Sequence, residues 1–311
     1  MRVLLKKNPS LLLKSFVSLA LLALLFYQAE WDELRRLAIS VDWRLLVGGL
    51  FCVVAGVVLS CFKWQVILQV DGIDCPLSTL VRYYLIGTFF NNFLPTSIGG
   101  DAVRAYYIAR ECGRPSVGVS SILAERLSGL FVLVLFPVVA FYPSATSIPG
   151  SVQRVLGGGL AGLVLLAALL ALPRVRKNGI RLLPCRVRNA MEHVSGSLRR
   201  YLSDTRNLTI VIICSILFNG LMILAAWFIA AALGLDLRMI DLMVVVPLVV
   251  VLTLIPFSLN GLGIREGGFI FFLADFGVSS TEALSFSLLN YLLVFLLSIV
   301  GGGLFAFRRI R

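Results

Sequence analysis

The chain has 311 residues, of which 59% are hydrophobic and 14% charged, with a mean hydropathy of +0.95 and a formal net charge of +12. Soluble domains keep apolar content near half and charge near a quarter, so this composition excludes a soluble fold, which would leave far too much apolar surface uncovered. The positive balance reads as cationic cytoplasmic loops under the positive-inside rule, not as a nucleic-acid surface.

Residues 11–28 form the first predicted span, preceded by Arg2, Lys6 and Lys7. That start resembles a signal peptide, but no small-residue cleavage site follows, so an uncleaved first helix is expected. A mixed-charge loop leads to a second span at about 45–70, with Lys63 and Trp64 near its inner end, where they suit the membrane interface. Residues 80–95 are apolar but short for a crossing, and they contain Arg82, Asn91 and Asn92. Strong spans follow at about 117–141, carrying Glu125 and Arg126, and at 155–172. The loop 173–207 holds nine cations against Glu192 and Asp204 and is expected in the cytoplasm. Residues 208–233 read as a clean span, 240–257 as an apolar segment, 261–276 as a short glycine-containing one, and 284–307 as the last span.

The six cysteines (Cys52, Cys61, Cys75, Cys112, Cys185 and Cys214) show no paired zinc or redox spacing, and the single histidine is His193 in the basic loop. No metal or cofactor is expected. There is no P-loop and no HExxH motif, so no enzyme activity is expected. An intramembrane enzyme built on Asp101, Glu125 or Glu266 stays open as an alternative.

Two interruptions of the apolar runs resemble each other. The first carries Asn91, Asn92, Pro95, Ser97, Gly99, Gly100, Asp101 and Arg104. The second carries Pro256, Ser258, Asn260, Gly261, Gly263, Arg265 and Glu266. The prolines lie 161 residues apart, about half the chain. Broken apolar segments at matching positions in two halves point to a transport site. The fold expected is an all-α integral membrane protein of about six full transmembrane helices plus two re-entrant hairpins. It divides into a first membrane repeat at 1–150 and a second at 151–311, related by inverted topology. Two extra full crossings in place of the hairpins fit the same charge signals. Both termini are expected in the cytoplasm, with the uncharged loop at 143–151 outside.

Backbone that leaves the helix at membrane depth must be buried in protein or line a watery cavity, and arginine adds a planar fork suited to phosphate. Arg104 and Arg265 are therefore candidate phosphate contacts, held by Asp101 and Glu266 when the site is empty. The alternative is a structural ion pair at each hairpin end. Glu125 and Arg126 lie about nine residues into a span, where charges are costly and mark substrate paths. Being adjacent, they point roughly 100° apart. They need not pair and can meet Asp101, Arg104 or Arg265, although Arg126 is the partner whose loss is expected to strand Glu125. Asn91, Asn92 and Asn260 are expected to satisfy backbone groups freed at the breaks or to touch ligand. The glycine triplets at 157–159 and 301–303 suit helix packing.

The stretches Tyr84–Pro95, Gly99–Arg104, Ala124–Gly129 and Pro256–Glu266 resemble the lysylphosphatidylglycerol synthase transmembrane-region family, in a likeness that covers nearly the whole chain. The resemblance implies lipid translocation, with polar residues at the two hairpins handling the head group. No soluble aminoacyl-transferase domain stands within these residues, so synthesis of lysyl-phosphatidylglycerol is not expected. The expectation is a flippase in a prokaryotic cytoplasmic membrane that moves an anionic phospholipid or a lipid-linked head group, with membrane lipids bearing anionic head groups as partners and no nucleic acid. The alternatives are a small-solute or ion transporter on the same scaffold, or a non-catalytic partner of a separate lipid-modifying enzyme.

Overall fold

The computed structural model describes residues 30–93, 99–144, 200–254, 258 and 260–307, together with positions 18, 20, 21, 23–25, 27, 157 and 196. Most of the expected 11–28 and 155–172 spans, most of the basic loop, Pro95, Pro256 and the last four residues lie outside the described residues. Among the described residues every regular element is a helix: α1 Trp31–Ser40, α2 Trp43–Val70, α3 Leu77–Phe93, α4 Gly99–Cys112, α5 Pro115–Ser144, α6 Thr205–Ala232, α7 Met239–Thr253, α8 Ile264–Ala274 and α9 Ser280–Ala306.

Four of these, α2, α5, α6 and α9, are long and apolar enough to cross a membrane. Their starts are chemically marked. Asp42 caps α2 by accepting from the Arg44 N–H at 2.9 Å, and Asp204 caps α6 through the Asn207 N–H at 3.2 Å. Ser279 and Glu282 form a reciprocal capping box at the start of α9. The outward faces stay apolar, with Phe51, Phe131, Leu217 and Ile299 exposed, as suits helices solvated by lipid tails. Helix α1 falls where the sequence predicts a mixed-charge loop, and it docks on α9 through the Glu30 N–H and Thr281 Oγ1 at 3.2 Å.

The other segments fold back as pairs. Helix α3 has 17 residues and α4 has 14, about 26 and 21 Å at 1.5 Å per residue, short of the ~30 Å hydrocarbon thickness. They run antiparallel: Tyr83 bonds Glu111 at 2.6 Å near one end, and Asn91 reaches Gly100 at the other. Helix α7 has 15 residues and α8 has 11. They also lie antiparallel, with Gly268 beside Val249 and Gly261 beside Thr253. The described helices α3 and α7 end at Phe93 and Thr253, on the approach to each break.

Helices α2 and α6 form the central pair. Gly48 packs on Phe228, Gly56 on Met222, and Lys63 on Ser215, so the two run antiparallel. The remaining contacts fall into matched sets. Exchanging α2 with α6, α3 with α7, α4 with α8 and α5 with α9 turns the α3–α9 contact into α7–α5. It likewise turns α4–α5 into α8–α9 and α3–α4 into α7–α8. The largest core cluster spreads over α2, α6, α7, α8 and α9, with Cys52, Ala226, Val245, Phe272 and Phe286 buried in it.

Candidate functional site

The first hairpin closes by an approach that only glycine allows. A Cβ on Gly100 would stand 2.0 Å from the Gly87 carbonyl oxygen and 2.6 Å from Asn91 Cγ. Without it, the Gly100 N–H donates to Asn91 Oδ1 at 2.7 Å, so Asn91 does satisfy backbone at the break. Asp101 and Arg104 follow one turn apart on α4, facing α5. Glu125 Oε2 accepts from Arg104 at 2.5 Å, and Oε1 accepts from Ser60 Oγ at 2.6 Å. The Arg104 guanidinium lies over the rings of Trp64 and Tyr84, at 4.3 and 4.4 Å from their centroids.

Arg126 points elsewhere, because successive helical residues diverge by about 100°. It forks onto both oxygens of Asp101 at 2.9 and 3.0 Å, the strong bidentate geometry. Its side chain is 48% exposed, whereas Arg104 and Glu125 are 4% and 6% exposed. This corrects the expectation that Arg126 is the partner of Glu125: Arg104 and Ser60 fill both carboxylate oxygens. Arg104 also touches Asp101 at 3.5 Å.

Lys63 is a second correction. Its position in the sequence suits the membrane interface, yet it is 2% exposed. Its ammonium donates to the Glu125 backbone carbonyl at 3.1 Å and to Ser215 Oγ at 3.4 Å. A hydropathy window reads depth along a helix and not azimuth. The face of α2 that carries Ser60, Lys63 and Trp64 turns toward α5 and α6. Trp64 follows it inward, donating to Ser121 Oγ at 3.1 Å.

The second hairpin turns through left-handed backbone, with φ of 49° at Asn260, 75° at Gly261 and 84° at Gly263. A residue other than Gly, Asn or Asp is strained there. Glu266 accepts from the Gly263 N–H at 2.7 Å, which caps α8, and binds Arg265 at 2.6 Å. The Arg265 guanidinium lies 4.4 Å from the Tyr291 ring centroid. Asn260 reaches across to the other hairpin. Its Nδ2 donates to Asn92 Oδ1 at 3.1 Å and so joins one break to the other.

A cavity of about 400 Å³ opens between the hairpins. Its polar lining comes from both halves: Asn91, Asn92, Arg126, Asn260, Arg265 and Tyr291. Valines, Phe218 and Met222 supply the apolar wall. Asp101, Arg104, Glu125 and Glu266 do not line this cavity, so Arg126 takes the place for which the sequence reading names Arg104 beside Arg265. Gly99 is the first residue of α4. A second cavity of about 270 Å³ shares Tyr84, Arg126 and Phe218 with the first and reaches Ser60, Lys63 and Glu125. Tyr84 and Tyr291 line the first cavity and Ser60 the second without being singled out in the sequence reading, which places Lys63, another residue of the second cavity, at the interface. Ser60 and Lys63 carry one usable signal, polar groups three apart inside an apolar run. Among the described residues no cluster of three or more His, Cys, Asp or Glu side chains is arranged to hold a metal ion.

Apolar crossing helices, paired broken hairpins and a polar cavity between them define a multi-pass integral membrane protein. The family model described as the lysylphosphatidylglycerol synthase TM region matches residues 11–302, and the chain belongs to that family. A UPF0104 membrane protein of Methanothermobacter thermautotrophicus is 25% identical, over 93% of this chain and 91% of the relative. Another, from Methanocaldococcus jannaschii, is 26% identical over 44% of this chain and 40% of the relative. No solved structure matches significantly.

Proposed function

We propose that this protein moves an anionic lipid head group between the leaflets of a prokaryotic cytoplasmic membrane, without chemistry of its own. The observation that carries this reading is the 400 Å³ cavity, lined by Arg126, Arg265 and asparagines together with apolar side chains. Each guanidinium is already aligned by a carboxylate, Asp101 or Glu266. An entering phosphate meets two preformed forks and the amides of Asn91, Asn92 and Asn260. Such contacts replace part of the hydration that a charged head group loses at membrane depth. The acyl chains stay in the bilayer beside the apolar wall. The name of the family, which refers to a lipid synthase, fits a lipid-handling role.

The architecture suited to this is an inverted repeat of 1–150 and 151–311. Its support is the matched contact pattern together with the antiparallel α2–α6 pair, since a two-fold axis in the membrane plane reverses a helix that it maps onto its neighbour. In this reading α3–α4 enters from the cytoplasm and α7–α8 from outside. The two breaks meet at the Asn92–Asn260 bond, where rocking of one half against the other exposes the cavity to either leaflet in turn.

The test is leaflet exchange of labelled phosphatidylglycerol by purified protein in liposomes, with phosphatidylcholine as the zwitterionic control. Accelerated exchange of the anionic lipid alone is the expected result. Equal rates with and without protein would overturn the proposal, and uptake of water-soluble anions without lipid exchange would favour a solute transporter.

A further inference from the structure

Seven ionisable side chains converge at the junction of the hairpins: Lys63, Arg104, Arg126 and Arg265 against Asp101, Glu125 and Glu266. Three ion pairs account for six of them. Arg104 binds Glu125, Arg126 binds Asp101, and Arg265 binds Glu266. Lys63 is left over. Among the described residues no carboxylate oxygen stands within ion-pairing distance of its ammonium, whose hydrogen bonds go to a backbone carbonyl and to a serine hydroxyl. Glu125 is near, but its carboxylate bonds Arg104 and Ser60 and not Lys63. The Phe218 ring, 5.9 Å away, offers only a weak cation–π contact.

An ammonium carries three N–H donors, and among the described residues only two of those of Lys63 find a partner. The side chain is 2% exposed, and it lines the 270 Å³ cavity. A buried cation without an anionic partner is costly, and the cavity beside it has room for a small anionic group. Arg126 stands in the wall that this cavity shares with the larger one. One head group can therefore extend from the first cavity into the second.

We infer that the second cavity seats a second anionic group of the transported head group on Lys63, so that the preferred substrate class is a lipid with two anionic groups. This rests on the lipid-translocation reading above. The first group, a phosphodiester next to the acyl chains, lies against Arg126 and Arg265. The second, a phosphate or carboxylate farther along the head group, takes the remaining Lys63 donor and cancels the surplus positive charge.

The experiment compares short-chain phosphatidylglycerol with short-chain phosphatidylglycerophosphate, which adds one terminal phosphate to the same head group. Binding to the purified full chain in detergent is measured by calorimetry. The wild type should bind the doubly anionic lipid at least about tenfold more tightly, the weight of one buried charge-assisted contact. Lys63→Met and Lys63→Gln should keep phosphatidylglycerol binding and lose the preference, and Lys63→Arg should retain it. Equal affinity of the wild type for the two lipids would overturn the inference, as would a preference that survives in Lys63→Met. The wild-type comparison stands even where a variant fails to fold. Binding of phosphatidylglycerol without a preference sinks the second subsite alone, whereas no binding of either lipid sinks the translocation reading with it.

Discussion

Arg104 on the first hairpin and Glu125 on α5 form a buried ion pair at 2.5 Å, 21 residues apart in sequence. Two rings cover the guanidinium, and Ser60 takes the other carboxylate oxygen. The pair ties the hairpin to a crossing helix and leaves Arg126 free to face the cavity.

Breaking this pair from one side strands a buried charge, at a cost of about 3–5 kcal/mol. Glu125→Ala and Arg104→Ala should each lower the thermal unfolding midpoint sharply in detergent. The double variant Glu125→Leu with Arg104→Met should recover most of the loss, because apolar residues of similar volume substitute well for a buried pair. A single Glu125→Ala variant that unfolds with the wild type would refute the assignment.

Arg126 should behave differently. Its half-exposed pair with Asp101 contributes about 0–1 kcal/mol to stability, so Arg126→Ala should fold almost normally. Transport is where the loss should appear. Arg126→Lys and Arg265→Lys keep the charge and lose the fork, and each should slow exchange of anionic lipid in liposomes by roughly tenfold, the weight of one charge-assisted bond. A folded double alanine variant that exchanges phosphatidylglycerol at the wild-type rate would remove these arginines from the site.

The glycines of α9 offer an internal control. A Cβ on Gly301 would stand 2.0 Å from the Leu85 carbonyl oxygen, while one on Gly303 meets nothing within 4 Å. Gly301→Ala should push α9 off α3 and cost at least the 1–3 kcal/mol of ordinary overpacking, roughly. Gly303→Ala should be neutral or slightly stabilising, since alanine favours helix by roughly 1 kcal/mol. Thermal unfolding of the two variants side by side decides the matter, and equal midpoints would contradict the α3–α9 packing.

Orientation rests on charge. Single cysteines at positions 6, 190 and 310, in a background without reactive thiols, should label with an impermeant maleimide only from the cytoplasmic side, and one at 147 only from outside. Labelling of position 190 in intact cells would invert the topology.

The sequence by itself determined the solvent and the punctuation of this chain. Hydropathy depends only on composition along a window, so the apolar segments that became α2, α5, α6 and α9 were legible without coordinates. The breaks were legible too, because Pro and Gly act locally on the backbone, and Gly261 and Gly263 do adopt positive φ. What the tertiary structure decided is which side chains meet. Glu125 and Arg126 are neighbours in the chain, yet the 100° step sends one to Arg104 and the other to Asp101. Asn92 and Asn260, 168 residues apart, touch because the ends of the two hairpins pack together. Lys63 became a buried cation because azimuth on α2, invisible to any hydropathy window, turned it toward α5 and not toward lipid. Partner choice inside a bundle follows from packing over long separations, and local sequence chemistry carries no record of it.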